Sequence, residues 1–272
     1  AILTILSFGK GTALALLLFA AILFLVKSYI SYKKKSRAIE AEDSLRKSES
    51  SSIQGVIEES VHNIANVIKR ANKIYTNSIN GLARQDLDQL NKNKKQVSKL
   101  SKEIDDLRDN LFYFIKNLDE TSVRASNFYI TILGNLTDIT QSLEYIAKIC
   151  HKHVNNNHSK LKYNQIKELK QIDHELETLF VNTKEALDTR SFEKIGMIIK
   201  NKQNLFDMVA DKTQKQVART RTDESSPKNT TLYFSLLLET KDLLKSTINL
   251  MESYYNEHDS TIEPARIEES SF

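Results

Sequence analysis

Two prolines, six glycines, one cysteine and no tryptophan in 272 residues close off several architectures. Strands joined by tight turns need Gly and Pro where the backbone turns sharply. A chain this poor in both is predicted to be built of long helices. The single Cys150 excludes an internal disulfide and fits a reducing cytoplasm. Charge of one sign is lacking too: 39 basic and 35 acidic residues leave a net +4, a mixed solvated surface rather than a nucleic-acid groove. There is no phosphate loop, no nucleophile elbow and no catalytic carboxylate pair in a recognisable setting, so no enzyme and no cofactor are expected.

Charge is also missing from one stretch in particular. Gly11 to Val26 (GTALALLLFAAILFLV) carries none, and Lys27 to Arg37 (KSYISYKKKSR) then carries five cations and no acid. Extended to Tyr32, the run is long enough to cross a hydrocarbon core of about 30 Å, with Tyr29 and Tyr32 at interface depth and Lys27 able to snorkel. A secretory signal peptide would put its cations before the apolar run and a small-x-small site after it, and a buried core helix would be out of keeping with a mean hydropathy of -0.41. Thr12 to Tyr32 is therefore predicted to be a membrane helix, with Lys33, Lys34, Lys35 and Arg37 at anionic headgroups on the cytoplasmic side. Ala1 to Phe8 is apolar as well, and more membrane sequence is expected upstream.

Residues 33–52 are charged and Ser-rich, a juxtamembrane linker expected to be part helical. Apolar residues then recur at alternating steps of four and three. One stripe runs through Ile57, Val61, Ile64, Ile68, Ala71 and Tyr75, and a second through Val97, Leu100, Ile104, Leu107, Leu111, Phe114 and Leu118. A third comprises Phe128, Ile132, Leu136, Ile139, Leu143 and Ile146. Such steps suit near-parallel helix packing and three antiparallel helices.

An internal repeat organises the rest. Laid without a gap at an offset of 104, Asp119 to Ile139 matches Asp223 to Leu243 at Asp119/Asp223, Glu120/Glu224, Ser122/Ser226, Tyr129/Tyr233, Leu133/Leu237 and Asp138/Asp242. Both copies open on an acidic, hydroxyl-rich turn suited to capping a helix, and Pro227 fits a first helical position. Two further helices complete the second copy: Leu161 to Leu187, with Leu169, Ile172, Leu176 and Leu179 on one face, and Phe192 to Val217, with Ser191 as candidate N-cap. The predicted fold is all-α: a terminal transmembrane helix, then tandem three-helix bundles over 53–154 and 155–256 joined at His153 to Ser159, then a disordered acidic tail, 257–272.

Candidate chemistry is sparse. Cys150, His151, His153 and His158 are the only cluster of soft ligands, but a tetrahedral site needs four converging groups, and a polar helix end explains them as well. Glu59 and His62 have the Glu-x-x-His spacing of di-iron bundles, and no second such pair occurs in the chain. Asp138 and Asp242, equivalent in the repeat, either lie on solvated flanks or line a groove shared by the two bundles.

A duplicated three-helix unit of this kind resembles the PhoU family. Attached to a membrane helix, it resembles the cytoplasmic domain of some bacterial inorganic phosphate transporters of the PiT type, to which NLFYFIKNLDETSV (Asn110 to Val123), KHVNNNH (Lys152 to His158) and SPKNTTLYFSLLLETKDL (Ser226 to Leu243) are similar. The resemblance implies a helical domain that modulates phosphate uptake, with an upstream transmembrane domain of the same chain as its partner and a homo-oligomer as a further possibility. It also implies metal ligands on each third helix, where this chain departs from the pattern. The Leu-Glu-Arg-Ile-Gly-Asp sequence of metal-binding members falls on Leu136 to Gln141 and Thr240 to Lys245, so its Glu and Asp become Thr137 and Gln141, then Lys241 and Lys245. A lysine repels a cation, so no metal is expected. The competing reading, a membrane-anchored signalling rod of the chemoreceptor kind, requires far longer uninterrupted heptads and no such repeat.

Overall fold

Scarce glycine leaves its mark at the helix ends. Helices α1 (Ile2–Arg84), α4 (Val123–Asn155) and α5 (Tyr163–Asp188) are each followed by a residue in the left-handed region that is not glycine. These are Gln85 (φ 58°), Asn157 (φ 53°) and Arg190 (φ 53°). The next amide or the one after closes the helix on a carbonyl five residues back: Asp86 to Gly81 at 2.9 Å, His158 to His153 at 3.2 Å and Ser191 to Ala186 at 2.8 Å. Gln85 and Arg190 end the first helix of each repeat, so the same device serves twice.

The computed structural model describes residues 2–116, 122–222 and 224–266, with side chains for all of these except 2–22 and 112. Its remaining helices are α2 (Leu87–Asp109), α3 (Leu111–Lys116), α6 (Phe192–Lys200), α7 (Lys202–Arg221) and α8 (Pro227–Glu257). No strand occurs among the described residues, as the composition predicts.

The chain divides into two units, 1–48 and 49–272. In the first, the only element is the start of α1, and the segment 33–52, expected to be part helical, is helical throughout. Leu23 to Val26, Tyr29, Ile30 and Tyr32 are exposed. No helix among the described residues is long and apolar enough to cross a membrane. The first half of the expected span, up to residue 22, lies outside the described side chains.

In the second unit the first and third stripes are buried along their full length, as are Leu169, Ile172, Leu176 and Leu179 on α5. The second stripe is shorter than its spacing suggests: Val97, Leu100 and Ile104 are buried, but Leu107 is 41% exposed. Asp105, Asp106 and Asp109 crowd the carbonyl end of α2, where negative charge opposes the helix dipole, and the helix stops at Asp109. The short α3 takes over, with Phe114 packed against the core, while Leu118 lies outside the described residues. Phe192 to Val217 is likewise two helices rather than one, interrupted at Asn201, whose amide bonds the Ile198 carbonyl at 3.1 Å, with Lys202 just beyond reaching Glu252 of α8. Outside α1, which runs 83 residues, the helices run from 6 to 33.

Both repeats contribute to a single hydrophobic core, so they are not two separate bundles. The third helices, α4 and α8, pack extensively on each other, and α1 bonds across to the second repeat. The Tyr75 hydroxyl bonds Thr240 Oγ1 at 3.0 Å, Ser60 bonds the Tyr254 hydroxyl at 2.5 Å, and Thr76 donates to Asp173 at 2.7 Å. With the bond from Lys170 to Asn80, these pairs run α1 antiparallel to both α8 and α5.

The tail also departs from expectation. Residues 258–266 do not continue α8, but they return to α1, where the Ala265 amide donates to the Ser51 carbonyl at 2.8 Å. The helix ends at Glu257, and the acids expected to keep the segment solvated, Asp259 and Glu263, are exposed while its main chain makes the bonds. Residues 267–272 lie outside the described residues.

Candidate functional site

The repeat places matching residues at the helix starts. Ser122 and Ser226 are both N-cap residues and Pro227 is the first residue of its helix, although only Ser226 caps with its side chain, accepting from the Asn229 amide at 3.3 Å. Ser191 is also an N-cap without a side-chain bond. Asp119, Glu120, Thr121 and Asp223 lie outside the described residues.

From these starts α4 and α8 run antiparallel. Arg124 meets Glu257 at 3.0 Å, Phe128 meets Tyr254 edge-on at 5.5 Å, and Ser142 hydrogen-bonds Glu239. Since α8 repeats α4 at an offset of 104, one position in an antiparallel pair has to face its own copy. In the register that these contacts set, it falls at Asp138 and Ile139 against Asp242 and Leu243. Ile139 and Leu243 turn inward and are fully buried, which leaves Asp138 and Asp242 on the outer edge of the seam.

There they line one groove of about 500 Å³ with Gln141, Ser142, Tyr145, Glu239, Lys245 and Ser246. Asp138 and Asp242 are exposed, whereas Ser142 and Ser246 are buried beneath them. Burial, then the Asp242 charge, push the Glu239 carboxyl above the usual carboxylate range, against the hydrogen bond from Ser142. A second polar groove of about 560 Å³ continues along the seam beside Asn127, Asn135, Asn249 and Asn256.

Asp138 and Asp242 keep features of both readings: each is exposed on the flank of its helix, and both line this one groove. Glu239 and the serine pair were not anticipated. Ser142/Ser246 could have been found by extending the repeat by three residues, whereas Glu239 aligns with Asn135, and no acidic pair signals it. Of the four positions laid on the PhoU metal ligands, Gln141 and Lys245 open into this groove. Lys241 is exposed, and the Thr137 hydroxyl donates to the Leu133 carbonyl at 2.9 Å.

The other candidates separate. Cys150 is buried, which pushes its thiol up to about 12. A ring nitrogen of His153 lies 3.0 Å from the Ser159 carbonyl, and its ring is tilted against His158 at 5.2 Å. Glu59 is exposed, and His62 Nδ1 lies 3.7 Å from Asp188. No group of three or more His, Cys, Asp or Glu residues among the described ones is disposed to hold a metal ion. Lys33, Lys34, Lys35 and Arg37 are all exposed on α1.

A polar cluster in the second repeat had no sequence signal. Arg219 forks onto Glu168 with bonds of 2.9 and 2.7 Å, the Tyr233 hydroxyl donates to the same carboxylate at 2.5 Å, and the guanidinium lies 5.3 Å from the Tyr233 ring centre. Burial alone would raise the Glu168 carboxyl, but the bonds from Arg219 and Tyr233 outweigh it and hold it low. Tyr129, the copy of Tyr233, stacks instead on Phe114 at 3.7 Å.

No family model and no curated protein matches this sequence. By structure the chain is similar to the phosphate transport system regulatory protein PhoU from Streptococcus pneumoniae. The TM-score is 0.59 at 12% identity, with 77% of this chain and 96% of that one covered. At that identity the likeness is one of fold: an all-α, PhoU-like helical bundle.

Proposed function

We propose that the chain is the C-terminal part of an inorganic phosphate transporter, in which a last membrane helix is followed by a PhoU-like domain that modulates phosphate uptake. The observation that carries this reading is the PhoU-like fold, since the similar solved protein is described as a regulator of phosphate transport. Two sequence features support the membrane part: the charge-free run of residues 11–26 and the one-sided basic cluster after it. In this reading Thr12 to Tyr32 spans the inner membrane, and Lys33, Lys34, Lys35 and Arg37 lie at cytoplasmic anionic headgroups. The domain after them faces the cytoplasm and docks on the transporter's own membrane domain, alone or as a homo-oligomer. Ion and substrate sites then belong to that membrane domain.

The domain acts without catalysis and without a metal cluster, because Gln141 and Lys245 stand where carboxylate ligands would face the groove. Deleting residues 53–272 should change phosphate uptake, or its response to phosphate supply, with insertion intact. Unchanged uptake across phosphate levels would overturn the regulatory role, and stoichiometric iron or zinc in the purified domain would overturn the metal-free one. A periplasm-active reporter fused after Arg37 would reverse the topology.

A further inference from the structure

Helix α8 ends at Glu257, and residues 258–266 turn back onto α1 where that helix enters the second unit. The attachment is mostly main chain. Ser51 Oγ donates to the Glu263 carbonyl at 2.7 Å, and the Ala265 amide donates to the Ser51 carbonyl at 2.8 Å. Gln54 clamps the other end: its Nε2 donates to the Glu257 carbonyl at 2.6 Å, and its Oε1 accepts from the Asp259 amide at 3.1 Å. The His258 ring lies flat on Phe192 at 3.7 Å. At Gly55 the strap occupies the space of a side chain, since a Cβ there would sit 2.3 Å from the Ala265 carbonyl oxygen.

The strap's own side chains bury little. Asp259, Ser260, Thr261, Glu263 and Pro264 are exposed, and Ile262 is half-buried. Most of the bonded groups could turn to water on release, so undocking strands few polar atoms. One atom favours release, because the buried His258 Nδ1 has no partner while the strap is down.

We propose that residues 258–266 form a latch on α1. Docked, the strap fixes residues 51–55 against the unit; undocked, it frees that stretch of the helix joining the unit to residues 2–48. Its few contacts keep the two states close in energy, which suits a switch. The inference stands independently of any role in phosphate transport.

Hydrogen exchange on the full chain tests it through a reversal of sign. Alanine normally strengthens a helix interior relative to glycine. With the strap present, Gly55→Ala should instead speed exchange at the Ala265 amide and across 51–55 by roughly tenfold or more, a change of about 1.4 kcal/mol, with α4 and α8 unaffected. In a chain ending at Glu257, the same substitution should slow exchange at 51–55. Gln54→Ala, which introduces no clash, should loosen the Asp259 and Ala265 amides on its own. The latch is overturned if Gly55→Ala protects the full chain, if it speeds exchange in the shortened one, or if Gln54→Ala changes nothing. Global loss of protection on removing the strap would likewise overturn it, by making the segment part of the core.

Discussion

At the scale of single residues, the Glu168 carboxylate sets an acid limit on the second repeat. Its pKa is held below the ordinary 4.5, so the stability it adds is fully present above that value and is lost as pH falls through the lower, folded one. Glu168→Gln should flatten the acid limb of a melting-temperature profile below pH about 4.5 and change little near neutrality beyond a constant offset. Arg219→Ala leaves the carboxylate largely buried without its fork and should cost about 3 kcal/mol in urea unfolding. His258 titrates in the opposite sense. Burial on Phe192 lowers its pKa below 6.5, against the facing charges of Asp259 and Glu58. The neutral ring is therefore the docked form, and strap protection should be present above the usual imidazole range and fade as pH falls through the depressed value.

At the scale of elements, the helix ends and α2 give the sharpest contrasts. Gln85 sits at φ 58° without being glycine, at a cost of roughly 1 kcal/mol. Gln85→Gly should recover most of it, measured as a higher urea midpoint with unchanged slope. Ile104→Asp should unfold the unit, because an unpaired buried carboxylate costs several kcal/mol against a margin of about 5–15, whereas Leu107→Asp, at a 41% exposed position, should melt close to wild type. The sequence treats these two leucine-like positions alike, since spacing reports a face and not where a helix ends. The three aspartates that stop α2 were visible, but their effect depends on where the last carbonyls fall. Gly55 and residues 258–266 were illegible for another reason: a strap held by main-chain bonds leaves no apolar period, and one helical glycine looks like any other. Asp138 and Asp242 stand out in the sequence because duplication writes the same residue twice, which is also why the single Glu239 was missed.

At the scale of the whole molecule, the repeat was legible but the shared core was not, because periodicity marks apolar faces without naming their partners. Tyr75, spaced as a core residue of the first repeat, is buried where its hydroxyl meets Thr240 of the second. Residues 49–266 alone should give a cooperatively melting, wholly helical circular dichroism spectrum. Residues 49–155 alone should bind hydrophobic dyes and melt without a sharp transition, because α1 and α4 would lack α8. The same dependence sets a timetable during synthesis. About 100 residues separate the end of α4 from the end of α8, so at about 5–20 residues per second the first repeat waits some 5–20 s on the ribosome with its apolar faces uncovered. The newborn chain is thus most in need of a chaperone just before α8 emerges, and slowing translation within residues 155–257 should lower the yield of folded protein more than slowing it anywhere earlier.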